Sequence, residues 1–158
     1  MQTASIAQLR KEMQHLSHPD LMNLCTKLLK FKKENKELLS YVLFESHDEQ
    51  AFIAKMKLEI ESMFDEVNTG SIFWAKKTLR KIARLLVKQT KFSGNATTAI
   101  ELHIFFCQQL KQLPFNIFES SIVQTMYSNQ LKKINKYMSS IHEDLQFDYA
   151  QIVGQLLS

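Results

Sequence analysis

Thr98 to Leu113, "TAIELHIFFCQQLKQL", decides the fold of this chain. At 100° per residue, Ala99, Ile100, Leu102, Ile104, Phe106, Cys107, Leu110 and Leu113 cover more than half of a helical wheel. Glu101, Gln108 and Gln112 share the narrow polar strip that remains. A helix that apolar has neighbours on several sides, so this segment marks the centre of a core.

The rest of the chain reads the same way. Its 158 residues include only 3 Gly and 2 Pro, where average usage gives roughly eleven and eight. Strands need turns, and turns consume those residues. The shortage predicts few, long elements. Ser17-His-Pro-Asp20, Ser46-His-Asp-Glu49, Thr98-Ala-Ile-Glu101 and Ser140-Ile-His-Glu143 each match a capping box at the edge of an apolar 3.6-residue pattern. Eight helices are expected, over 4–15, 18–33, 36–45, 47–67, 71–91, 98–113, 117–138 and 141–156. A turn near Asn35 is expected because a continuous helix would carry Lys32 and Asn35 through an apolar stripe. The loops are short, so successive helices should pack antiparallel. The expectation is one all-α domain over 1–158, either an irregular α-solenoid-like stack or a closed helical bundle.

Outward from that core, "WAKKTLRKIARLLVK" (Trp74–Lys88) puts six cations into fifteen residues. Ile72, Ala75, Leu79, Ile82, Ala83 and Leu86 fall on one arc of the wheel, and Lys77, Arg80, Lys81, Arg84, Lys88 and Lys91 on another. Like charges at i,i+4 cost a few tenths of a kcal/mol per pair, a cost that solvent alone can screen on an exposed face and that other charges could offset. Glu59, Glu61, Asp65 and Glu66 on the preceding helix could do so, which would make the face purely structural. An acidic protein partner or the phosphates of a nucleic acid could also do so. Lipid is a poor candidate, because the apolar arc is committed to the core. Lys30, Lys32, Lys33 and Lys36, then Lys132, Lys133 and Lys136, form two further clusters. Either would create a groove if it met the main face in space.

Catalytic and metal-site signatures are sparse. His103 and Cys107 stand at i,i+4, but no HExxH, CxxC or second His/Cys pair completes a metal set. His103 lies inside the apolar arc and reads as a hydrogen-bonded core histidine. Cys25 and Cys107 read as buried thiols in a reducing compartment. With only three glycines, no Gly-rich phosphate loop can be built. No cofactor or metal is expected. No leader pattern and no run of about 18 apolar residues is present, so no membrane partner and a cytoplasmic location are the expectation.

"LRKEMQHLSHPDLMNLC", "KFKKENKELLSYVLFES", "WAKKTLRKIARLL" and "ELHIFFCQQLK" together resemble a group of uncharacterised bacterial all-helical proteins of this length, over about residues 6–113. The resemblance implies an all-helical fold and carries no activity with it. The expected role is a non-catalytic protein-interaction module, its contact surface formed by Lys77, Arg80, Lys81, Arg84 and Lys88, a face that an acidic protein partner would suit. The alternative is a nucleic-acid-binding protein using the same residues on phosphates. The third reading is an enzyme with a dispersed site around His103.

Overall fold

The computed structural model describes residues 3–157, and the chain is all-helical, with no strand among them. Its contacts divide it into two compact units, 1–43 and 44–158.

The first unit holds α1 (Ile6–Met13), α2 (His18–Phe31) and α3 (Lys33–Ser40). Ser5 caps α1 with a complete capping box: its Oγ accepts from the Gln8 N–H, and its own N–H donates to Gln8 Oε1 at 2.9 Å. Ser17 caps α2 as expected, accepting from the Asp20 N–H at 3.3 Å. Asp20 does not reach back to the backbone; its carboxylate accepts from the Ser17 hydroxyl instead. The expected turn near Asn35 lies three residues earlier, at Lys32, whose backbone is extended (φ −141°, ψ 142°). Asn35 closes that break, its side-chain amide donating to the Leu28 carbonyl at 2.6 Å. No residue of α1, α2 or α3 is buried. Cys25, expected inside a core, is exposed. The stripe that holds it is apolar in sequence, but within this unit it is at most half-buried. Tyr41–Glu45 then forms a single π-helical turn.

The second unit holds α4 (Glu49–Asp65), α5 (Ile72–Ser93), α6 (Ala96–Lys111), α7 (Phe115–Phe118), α8 (Ser121–Met138) and α9 (Glu143–Leu157). The segment expected to be one helix over 117–138 is two, because Ser120 turns back on α7 and its hydroxyl donates to the Ile117 carbonyl at 2.7 Å.

Three of the four proposed caps are corrected in this unit. α4 is capped by Asp48, which accepts from the Ala51 N–H at 2.9 Å, and not by Ser46. α6 is capped by Asn95, which accepts from the Thr97 and Thr98 N–H groups. Thr98 lies inside that helix, and its hydroxyl donates to the Glu49 carboxylate. The Ser140 hydroxyl donates to the Tyr137 carbonyl, and His142 leads α9, its Nδ1 accepting from the Asp144 N–H at 3.3 Å. Gly94, with φ of 65°, ends α5 in a left-handed conformation that a side chain would strain.

Helix α6 lies at the centre, packed on α8 most extensively and also on α4, α5 and α9. Ala99, Ile100, Leu102, Ile104, Phe106, Cys107 and Leu110 are all buried, as the wheel requires. Phe106 meets Phe64 of α4 edge to face, ring centroids 5.4 Å apart. Each large apolar side chain fully buried here contributes about 1.5–3 kcal/mol. Among the described residues no helix is long and apolar enough to cross a membrane.

Candidate functional site: a cationic groove between α5 and α8

Ala75, Leu79, Ile82, Leu86 and Thr90 turn inward from α5 and are buried. That anchoring fixes which side chains face away. Lys77, Arg80, Lys81 and Arg84 are exposed and Lys88 is half-buried. Lys77 Nζ sits over the Trp74 ring, 5.3 Å from its centroid, and Lys76 Nζ sits 5.2 Å from that of Phe73.

Among the described residues, no ion pair joins Lys77, Arg80, Lys81 or Arg84 to Glu59, Glu61, Asp65 or Glu66. Direct ion pairs within the α4–α5 hairpin therefore do not account for these four cations. Helix α4 spends its charges elsewhere. Lys57 pairs with Glu101 of α6 at 2.9 Å, Lys55 pairs with Glu45 at 2.7 Å, and Glu49 accepts from Ser93 at 2.9 Å and from Thr98.

The basic face instead borders a groove. Helices α5 and α8 both pack on α6 and make little contact with each other. A cleft of about 660 Å³ lies between them, lined by Arg80 and Ala83 from α5 and by Ser121, Ile122, Thr125, Met126, Asn129, Gln130, Lys132 and Lys133 from α8. Further along is a second cavity of about 440 Å³, lined by Val87, Thr90, Lys91, Gly94, Asn95, His103, Lys133, Lys136 and Tyr137. Residue numbers rise together on both walls, so α5 and α8 run in the same direction. Lys133 lines both spaces, and no Asp or Glu lines either. The cluster Lys132, Lys133 and Lys136 does meet the basic helix in space.

Of the five residues singled out from sequence, only Arg80 lines this groove. Lys77, Lys81 and Arg84 are exposed outside its lining, and Lys88 is half-buried, also outside it. Sequence reasoning passed over Ile122 and Met126 on the groove's apolar surface; it placed Ala83 on the core-facing arc, and Lys91 on the cationic arc without singling it out. Lys132 and Lys133 were visible as a cluster. Their position opposite α5 depends on packing across α6 and has no local signal.

His103 sits at the edge of the second cavity and is 1% exposed. Its Nδ1 is 2.7 Å from Gln130 Oε1, and its ring stacks on Tyr137 with centroids 5.8 Å apart. Burial, aided by the charge of Lys133, lowers its pKa to about 4 despite the hydrogen bond to Gln130. It is the hydrogen-bonded core histidine expected from its place on the wheel. Cys107, one turn on, is buried, and burial pushes its thiol up to about 12. Among the described residues no group of three or more His, Cys, Asp or Glu could hold a metal ion. No family model, curated protein or solved structure matches this chain.

Proposed function

We infer that this protein is an interaction module that receives an acidic amphipathic helix of a partner protein in the α5–α8 groove. The observation that carries the reading is the groove's lining: Ala83, Ile122 and Met126 supply apolar surface, and Arg80, Lys132 and Lys133 supply cations without a single carboxylate. A helix docked in a groove uses one apolar stripe for affinity and charges beside it for register. From Ser121 to Lys133 the wall of α8 is about 18 Å long, enough for three turns of a partner helix. Cations without protein counter-charges keep their full attraction for an incoming anion, and this steers encounter.

The test uses a synthetic Glu-rich amphipathic helix of three to four turns, a scrambled peptide of the same composition, and single-stranded RNA. Binding is followed by fluorescence anisotropy over a salt titration. The ordered peptide should bind more tightly than the scrambled one. Changing Arg80 and Lys132 together to Gln should weaken it at least tenfold. Equal binding of the two peptides would remove the role of the apolar surface and with it this reading.

A second reading rests on Phe73 and Trp74. Both are more than half exposed, and they meet edge to face with centroids 5.1 Å apart, each beside a lysine. Exposed aromatics beside cations suit a single nucleic-acid strand, which stacks its bases and neutralises its phosphates. Tighter binding of RNA than of the ordered peptide, lost in a Trp74→Ala variant, would favour that reading.

A further inference from the structure

The cavity beyond the groove has a chemistry of its own. Lys91 of α5 and Lys133 and Lys136 of α8 surround it, and no carboxylate lines it. None of the three lysines has an ion-pair partner among the described residues. Three positive charges around one concave space leave a strong attraction for an anion. Their ammonium groups are compact point charges on flexible stems, and they suit a tetrahedral dianion better than the planar carboxylate that an arginine fork selects.

His103 and Tyr137 add the neutral part of the site. With Nδ1 facing the Gln130 carbonyl oxygen, the imidazole is the tautomer that carries its proton on Nδ1. Nε2 is then the ring nitrogen without the proton, and it carries a lone pair. The ring stays neutral at pH 7, because burial holds its pKa near 4. A neutral acceptor beside three cations recognises a hydroxyl group, not a second anion. The stacked Tyr137 ring, half-buried, holds the imidazole in place.

We propose that this cavity, lined by Lys91, Lys133, Lys136, His103 and Tyr137, binds a small phosphorylated molecule that carries a hydroxyl group. Its volume of about 440 Å³ leaves room for a small organic body beyond the phosphate. The phosphate faces the lysines, and the hydroxyl donates to His103 Nε2. The site does not depend on the protein-partner reading. Only Lys133 is common to both, and Arg80 and Lys132 lie outside the cavity.

The experiment is a calorimetric titration of the full chain with three probes: glycerol 3-phosphate, glycerate and inorganic phosphate. The 15N resonances of the His103 ring are followed in parallel. Glycerol 3-phosphate should bind saturably, at least tenfold more tightly than either other probe, and shift the His103 Nε2 signal. Changing Lys91 and Lys136 together to Gln should abolish that binding, and circular dichroism should show both variants folded. An Arg80→Gln, Lys132→Gln variant should retain it. Three results would each overturn the proposal: no saturable binding of glycerol 3-phosphate, equal affinity for inorganic phosphate, or unchanged binding in the Lys91/Lys136 variant. Tighter binding of glycerate than of glycerol 3-phosphate would overturn the assignment to phosphate.

Discussion

Nδ1 of His103 lies 2.7 Å from Oε1 of Gln130, a hydrogen bond between α6 and α8 with both residues buried. It joins the central helix to the wall of the groove. The burial of His103, which that bond only partly offsets, makes the protein sensitive to acid. Burial is the main cause that lowers the folded pKa of His103 from 6.5 to about 4. Between those values the unfolded chain binds a proton that the folded chain does not, so stability rises with pH across that window. The contribution is complete above about pH 6.5 and is lost as pH falls towards 4, by about 3 kcal/mol in total. Urea midpoints at pH 7.5 and 5.0 check this. The wild type should lose more stability between them than a His103→Gln variant does, and parallel losses would contradict it.

The caps make a second, graded set. Asp48→Ala and Asn95→Ala should each cost about 1 kcal/mol, because a helix N-terminal N–H group loses its acceptor. Ser140→Ala should stay within about 0.5 kcal/mol, because its exposed hydroxyl only donates to a carbonyl one turn back. Urea melts of the three variants give the order directly.

How much of this was legible depended on whether the signal was local. Helix α6 was readable because its pattern repeats every 3.6 residues: its buried side chains are those of the wheel together with Thr98 and His103, while Leu113, beyond the helix end at Lys111, is only half-buried. The caps were less so. Ser/Thr-x-x-Glu also occurs where an asparagine or aspartate nearby caps better, as Asn95 does three residues before Thr98. The groove could not be read at all. It depends on α5 and α8 lying in parallel across α6, and the two are separated in sequence by α6 and the short α7. Cys25 failed for the opposite reason. Its apolar stripe is present in sequence, but in the first unit nothing buries it.

Thiol chemistry separates the two cysteines. Cys25 is exposed and should react with a thiol reagent in the native protein. Cys107 is buried, with its pKa pushed up to about 12, so almost none of it is thiolate at neutral pH. It should react only after unfolding. Mass spectrometry of native and urea-treated samples should find one label and then two, and two labels in the native protein would contradict the packing of α6.

The cationic face allows a final prediction about folding alone. Arg80 and Arg84 stand at i,i+4 on exposed turns of α5, and neither has an ion-pair partner among the described residues. If the acids of α4 balanced them, changing both to Gln would lower stability by up to about 1 kcal/mol per lost pair. Without such pairs the change removes only mutual repulsion, a few tenths of a kcal/mol. The double variant should therefore melt at the wild-type urea midpoint or slightly above it. The effect should shrink as salt is added, because exposed charges are screened. A lower midpoint at low salt, restored by high salt in neither protein, would mean that the guanidinium stems pack on the helix surface and stabilise through contact. Gln is too short to replace such a contact, whereas Lys would keep much of it. Arg80→Lys with Arg84→Lys thus separates the two causes: it preserves the repulsion and most of the packing, and it should leave the midpoint unchanged.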